Sequence, residues 1–371
     1  MSSHVPFMTI APTDTTTTTT KTEAIDALTT NVSLDTIPAD ALRDQTSHTS
    51  QRRSSISGTD TISSAIMPRS RFRRAVRFPL AVLLSLGVSA GLYSVVPDIA
   101  GHDLAGPSRR IDEPWQIGAL LGFKVVSLAL PWALRMDYWD VLNLTFLTHI
   151  PYYFFMYIFN EVPLLNNSLS MAIDLASLTI PFFLLRPLNR ANAGIKHPHT
   201  LSQALAADTP IRLYATVFAA TLYSLAVYGS FFTWLPTYLI THFDSIATLE
   251  YMHNATLPLI ISTFLPIGYA AESFLFSASI AASSTYPFEP FDPRTATLWQ
   301  TVKHNIGLKG TREEVLAKRT IYLALATAAN TMVRVWGTIE GSEPWGAAGW
   351  AGLFTVASLM TGAGFDWIGD V

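Results

Sequence analysis

Residues 164–185 read LLNNSLSMAIDLASLTIPFFLL, an apolar run whose single charge, Asp174, falls near its middle. A helix of roughly 20 such residues crosses the ~30 Å hydrocarbon core of a bilayer. Outward from this run, similar stretches recur at 78–96, 115–134, 138–160, 212–233, 256–280, 320–339 and 345–364. One such stretch is compatible with a signal anchor or a core helix. About eight in succession specify an all-α, polytopic transmembrane helix bundle. The fifth span is the least sharply bounded, because apolar character continues through Trp234, Pro236 and Leu239 and suits an interfacial segment.

Composition agrees. The 371 residues are 49% hydrophobic and only 14% charged, against ~25% charged in soluble domains. Mean hydropathy is +0.30, an average of a polar tail and a very apolar body. The net charge of -3 gives no footprint for nucleic acid. The chain has no cysteine, which excludes disulfides, thiolate catalysis, iron–sulfur clusters and cysteine-based zinc sites.

Three segments follow. Residues 1–68 carry the Thr15–Thr20 run and many Ser, Asp and Pro. Such a segment has too little apolar surface to offset its ordering entropy, so a disordered cytoplasmic tail is expected. It holds no apolar stretch of signal-peptide type, and its acids argue against a mitochondrial leader. Residues 69–77, with Arg69, Arg71, Arg73, Arg74 and Arg77, form a basic juxtamembrane segment. Residues 78–371 form the transmembrane domain.

The positive-inside rule sets the orientation. With eight spans, Arg135, Arg186, Arg190, Lys196, Arg212, Lys318 and Arg319 share the side of the first basic segment, while Arg109 and Arg110 lie opposite. Both termini then face the cytoplasm. The glycosylation sequons at Asn166 and Asn254 fall on the other side, as that orientation requires.

Ionisable residues inside spans cost roughly 2.5–3.5 kcal/mol at a helix centre, so they mark sites or pairs. Lys124, His149 and Asp174 fall near the midplane, with Arg334 and Glu272 nearer opposite ends. Ser170, Asp174 and Ser177 share one helix face, as do Thr327, Asn330, Thr331, Arg334 and Thr338. Lys124–Asp174 and Arg334–Glu272 are possible structural ion pairs; a shared polar cavity is the functional alternative. At the rims, Asp137 and Asp140 are spaced to share a face and could hold Mg²⁺ against a diphosphate, or form an ordinary acidic turn. Glu161, Glu340 and Glu343 gather at the other rim.

Tyr152-Tyr153-Phe154-Phe155-Met156-Tyr157 is dense in rings that can attract a cation. Pro131, Pro151, Pro181, Pro258 and Pro266 are expected to kink or shorten helices. Gly346, Gly349, Gly352, Gly362 and Gly364 read as close helix packing. Neither a phosphate loop, a His-Glu-x-x-His zinc motif nor a nucleophile elbow is present. No metal or other cofactor is expected.

The stretch from Trp115-Gln116-Ile117-Gly118 through Asp137-Tyr138-Trp139-Asp140 to His149-Ile150-Pro151 resembles the fungal integral-membrane terpene cyclases of meroterpenoid biosynthesis. The tail and the eighth span depart from the shorter, seven-span members. The resemblance implies an isomerase or lyase that folds a lipophilic prenylated substrate and cyclises it by protonating an olefin or epoxide. Asp174 or Glu272 would be the proton donor, with Glu161 or Asp137 as rim alternatives. Lys124, His149, Tyr152, Tyr153, Phe154 and Arg334 would contact the substrate. The endoplasmic reticulum suits such an enzyme better than the plasma membrane. The alternatives are a proton- or ion-coupled transporter using Lys124, His149 and Asp174, and a non-catalytic membrane partner.

Overall fold

The computed structural model describes residues 69–100, 113–244, 246–283, 292–305 and 311–369. The chain divides into Met1–Met67 and Pro68–Val371, and every described residue belongs to the second unit. The expectation of a disordered tail therefore lies outside the described residues.

The regular structure of the described residues is helical, apart from one isolated bridge between Phe243 and Ser342. In chain order the helices are α1 (Arg69–Ala100), α2 (Pro114–Ala133), α3 (Tyr138–Phe159), α4 (Leu164–Leu185), α5 (Arg190–Lys196), α6 (Leu201–Ala207), α7 (Thr209–Phe231), α8 (Leu235–His242) and α9 (Glu250–Asn254). Helix α10 (Leu257–Ala271) runs through a π-turn (Glu272–Ser277) into α11 (Ala278–Ser283). Then follow α12 (Leu298–Asn305), α13 (Thr311–Thr338) and α14 (Pro344–Gly369).

Each expected span falls on a long helix. Six of these are long and apolar enough to cross a membrane. The two that are not are α3, which buries most of its residues, and α13, which carries the Thr327–Thr338 stripe. Buried polar residues of both, such as Thr148 and Asn330, bond between these helices, so neither needs to be apolar all round. The basic segment at 69–77 is helical and runs directly into the first expected span, since α1 begins at Arg69. The apolar continuation after the fifth span is its own helix, α8, whose Leu235 and Leu239 are buried.

Helix α3 is the centre. It packs against α4, α10, α13 and α14, while α7 pairs with α10 and α14. Around Phe154 and Phe155 the rings of Phe159, Phe264, Trp350 and Phe354 stack edge to face, and Trp350 donates its indole hydrogen to the Pro151 carbonyl at 2.9 Å. Such ring pairs add ~0.5–1.5 kcal/mol each beyond area burial. Helices α1 and α2 sit outside this body: 11% of the apolar window of each is buried, against 61% for Leu257–Ala282. Pro131, Pro151, Pro181 and Pro266 lie inside helices, whereas Pro258 occupies the first turn of α10 and bends nothing.

Small residues set the closest helix approaches. A Cβ on Gly268 would stand 2.2 Å from the Thr216 carbonyl oxygen of α7. On α14, Gly346, Gly349, Gly362 and Gly364 are similarly covered, while Gly352 faces open space. Gly268→Ala is expected to destabilise the protein by about 1–3 kcal/mol, since backbone must move. Gly352→Ala should leave stability unchanged or slightly raised. Unfolding in mixed micelles measures both, and equal effects would contradict this packing.

Candidate functional site

The midplane cluster is built by α3, α4 and α13. Asp174 accepts from Arg334 at 2.7 Å and from the Tyr153 hydroxyl at 2.6 Å, both at Oδ2. Arg334 also donates from Nε to Asn330 at 3.3 Å, and its guanidinium lies over the rings of Tyr152 and Tyr153. Asn330 donates to the Thr148 carbonyl at 2.7 Å, and Thr338 to the Tyr152 hydroxyl at 3.2 Å. The stripe on α13 thus faces α3. Asn167 anchors α4 by donating to the Tyr153 carbonyl at 2.8 Å. His149 is buried beside the Thr148 hydroxyl at 3.1 Å.

Two residues of the peripheral helices reach this cluster. Tyr93 on α1, 41% exposed, lies within electrostatic range of Asp174 and Arg334. Lys124 on α2 is half-buried and within electrostatic range of both Asp174 and Arg334. Its ammonium makes no ion pair among the described residues, so the expected Lys124–Asp174 pair is replaced by Arg334–Asp174. Phe154 does not share this site; it is enclosed by the aromatic core.

A second polar layer lies at the end of the bundle that carries Arg135 and Arg186. Glu272 is fully buried. Arg212 holds it bidentately, Nε to Oε1 and Nη2 to Oε2, each at 3.1 Å. Ser273 donates to Oε2 at 3.1 Å and Ser277 to Oε1. The π-turn makes this possible: its wider turn gathers Glu272, Ser273 and Ser277 around one guanidinium. Glu272 thus pairs with Arg212, not with Arg334.

Asp140 is held by Arg319 through Nη1 at 2.8 Å and Nη2 at 3.2 Å, and by Asn192 at 3.1 Å. Arg319 also donates to the Phe274 carbonyl of the π-turn at 2.9 Å, joining the two networks. Asp137 caps α3 by accepting from the backbone of Trp139 and Asp140. Its other oxygen accepts from the Asn189 backbone at 2.8 Å and from the Asn192 side chain at 2.9 Å. Burial, and then the neighbouring Asp140 carboxylate, push the Asp137 carboxyl up from its ordinary range. The two aspartates therefore serve as a cap and an ion pair rather than an open metal-binding face. No cluster of three or more His, Cys, Asp or Glu suited to a metal occurs among the described residues.

Glu161 is exposed beyond the opposite end of α3, with left-handed backbone at φ 52°. It lines a cleft of about 430 Å³ with Tyr157, Glu250, Tyr251 and Asn254. Asn254 is exposed, whereas Asn166 is 3% exposed within the first turn of α4, which leaves no surface for a glycan there.

Fold and site together define a helical protein with six helices long and apolar enough to cross a membrane, whose buried acids are tied to arginines. A family model described as the Bouquet formation protein 3 C-terminal domain matches residues 208–335. The matched third of the chain runs from α7 into α13 and contains Arg212, Glu272, Arg319 and Arg334. No curated protein and no solved structure matches the chain.

Removing one partner of a buried pair leaves an uncompensated charge and costs about 3–5 kcal/mol. Asp174→Asn and Arg334→Met are each expected to lose stability, Arg334→Met by about that amount. The double variant should lose less than the sum, with a coupling of about 0.5–3 kcal/mol. A double-mutant cycle in mixed micelles reads this directly, and strict additivity would contradict the pairing.

Proposed function

We propose that this chain is a non-catalytic, multi-pass membrane partner that takes part in bouquet formation. The observation that carries the reading is the state of its buried acids. A proton-initiated cyclase needs a carboxyl aimed at an open pocket. Glu272 has both oxygens committed to Arg212, Ser273 and Ser277, and Asp140 has both committed to Arg319. Asp174 is bound by Arg334 and Tyr153. These groups join α3, α4, α7, the π-turn and α13 into one body, which is the work of a rigid membrane anchor. The similarity of residues 208–335 to a bouquet-formation protein supplies the process.

We further infer eight spans, with both termini on the cytoplasmic side. The eight long helices and the collection of Arg135, Arg186, Arg212, Lys318 and Arg319 at one end support this topology. The chain has no native cysteine, so single cysteines report sidedness without background. Cysteines at Lys196 and His199 should react with a membrane-impermeant maleimide from the cytoplasmic side only, and one at Glu250 from the opposite side only. Labelling of all three from one side would sink the topology.

A membrane-embedded terpene cyclase is the second reading, favoured by the buried Asp174 carboxylate, which accepts from the Tyr153 hydroxyl at a cluster walled by Tyr152 and Arg334. One pair of experiments separates the two. Loss of the chain should impair bouquet formation. The purified protein, given a farnesylated phenol or its epoxide, should return no cyclised isomer by mass spectrometry and NMR. A new ring abolished by Asp174→Asn would establish the cyclase instead.

A further inference from the structure

A groove of about 450 Å³ opens between the turn after α2 and the first half of α13. Its polar end holds Arg135, Lys318 and Arg319, and its apolar walls include Leu134, Ile321 and Leu325. Those three apolar side chains are each more than half exposed. From Lys318 to Leu325 the helix rises roughly 10 Å. Positive charge thus sits at the end of the spans, and an apolar channel leads from it toward the bundle's middle.

One of these three charges is not balanced from within. Asp140 also lines the groove, but Arg319 neutralises it, and Lys318 is paired with Glu314 at 2.6 Å. Arg135 has no ion pair among the described residues. It stands near a second guanidinium, that of Arg186, which is held below its ordinary range by burial and then by Arg135. Arg135 also has φ 58°, one of two non-glycine residues with left-handed backbone among the described residues. An L-residue there costs roughly 1–2 kcal/mol per position, and glycine would be free of that cost. A strained residue that keeps an uncompensated cation at the mouth of a groove calls for an external anion.

We propose that this groove binds an anionic glycerophospholipid, with its phosphate at Arg135 and Lys318 and one acyl chain along Leu134, Ile321 and Leu325. The apolar wall selects a lipid over a free anion, and the cations select an anionic headgroup over a neutral one.

The test uses the full chain in nanodiscs of phosphatidylcholine, with and without phosphatidylserine, read by thermal unfolding and by native mass spectrometry of retained lipid. Phosphatidylserine should raise Tm and be retained on the wild type. Arg135→Gly relieves the backbone and removes the charge. It should be at least as stable as wild type in phosphatidylcholine, yet retain phosphatidylserine about fivefold less well, as expected for one interfacial cation. Lys318→Gln should weaken retention similarly. Leu325→Asn should weaken it with all cations in place. Inorganic phosphate alone should not raise Tm. The proposal is overturned if Arg135→Gly keeps the wild-type preference for phosphatidylserine, or if inorganic phosphate stabilises as well as the lipid does.

Discussion

A carboxylate enclosed by helices in lipid has no water to solvate it, so its position depends on the cation beside it. Here that cation is an arginine in each of three cases: Arg334 for Asp174, Arg212 for Glu272 and Arg319 for Asp140. Arginine suits the role because its planar fork reaches both carboxylate oxygens and still has donors for a backbone carbonyl. Arg319 uses this capacity, binding Asp140 and Phe274 at once. Each pair is costly to break and adds little when intact relative to apolar packing. Their value is positional: Asp140 and Arg319 lie 179 residues apart in sequence, and their pairing ties α3 to α13.

The rest of the architecture accommodates these pairs. The π-turn after α10 brings Glu272 and two serines to Arg212. Asp137 fixes the start of α3 and, through Asn189 and Asn192, holds α5 against it. Gly268 lets α7 and α10 approach closely enough for Arg212 to reach its partner. Outside this body α1 and α2 keep broad apolar faces. Their polar residues, Tyr93 and Lys124, reach inward to the Asp174 cluster.

The helices were legible because bilayer thickness dictates their length, and the sequence around Asp174 shows that length with one charge inside. Partner choice was not legible. Arg212 and Arg319 lie at span ends and read as positive-inside charges, a role that leaves nothing in the sequence to show they also turn inward. Lys124 appeared the natural partner of Asp174 by depth, yet depth along a span does not reveal which helices touch. Tyr93 carried no signal, since a tyrosine near a span end is ordinary at a membrane interface. The α13 stripe could be read in advance because its Asn330, Arg334 and Thr338 follow helical spacing. Asp137 and Asp140 had the right spacing for a shared face, but their actual roles depend on α5 and α13, elements remote in sequence.

The central claim is that the buried pairs hold the fold and do not perform chemistry. Under the proposed role, the most direct measurement is bouquet formation in cells whose only copy carries Asp174→Leu together with Arg334→Met, compared with wild type at matched protein level. This double change removes both charges, leaving neither one buried alone. The account predicts that bouquet formation persists. Its loss in a variant that is made, folded and inserted normally would contradict the account and place the activity at the Asp174–Arg334 cluster itself.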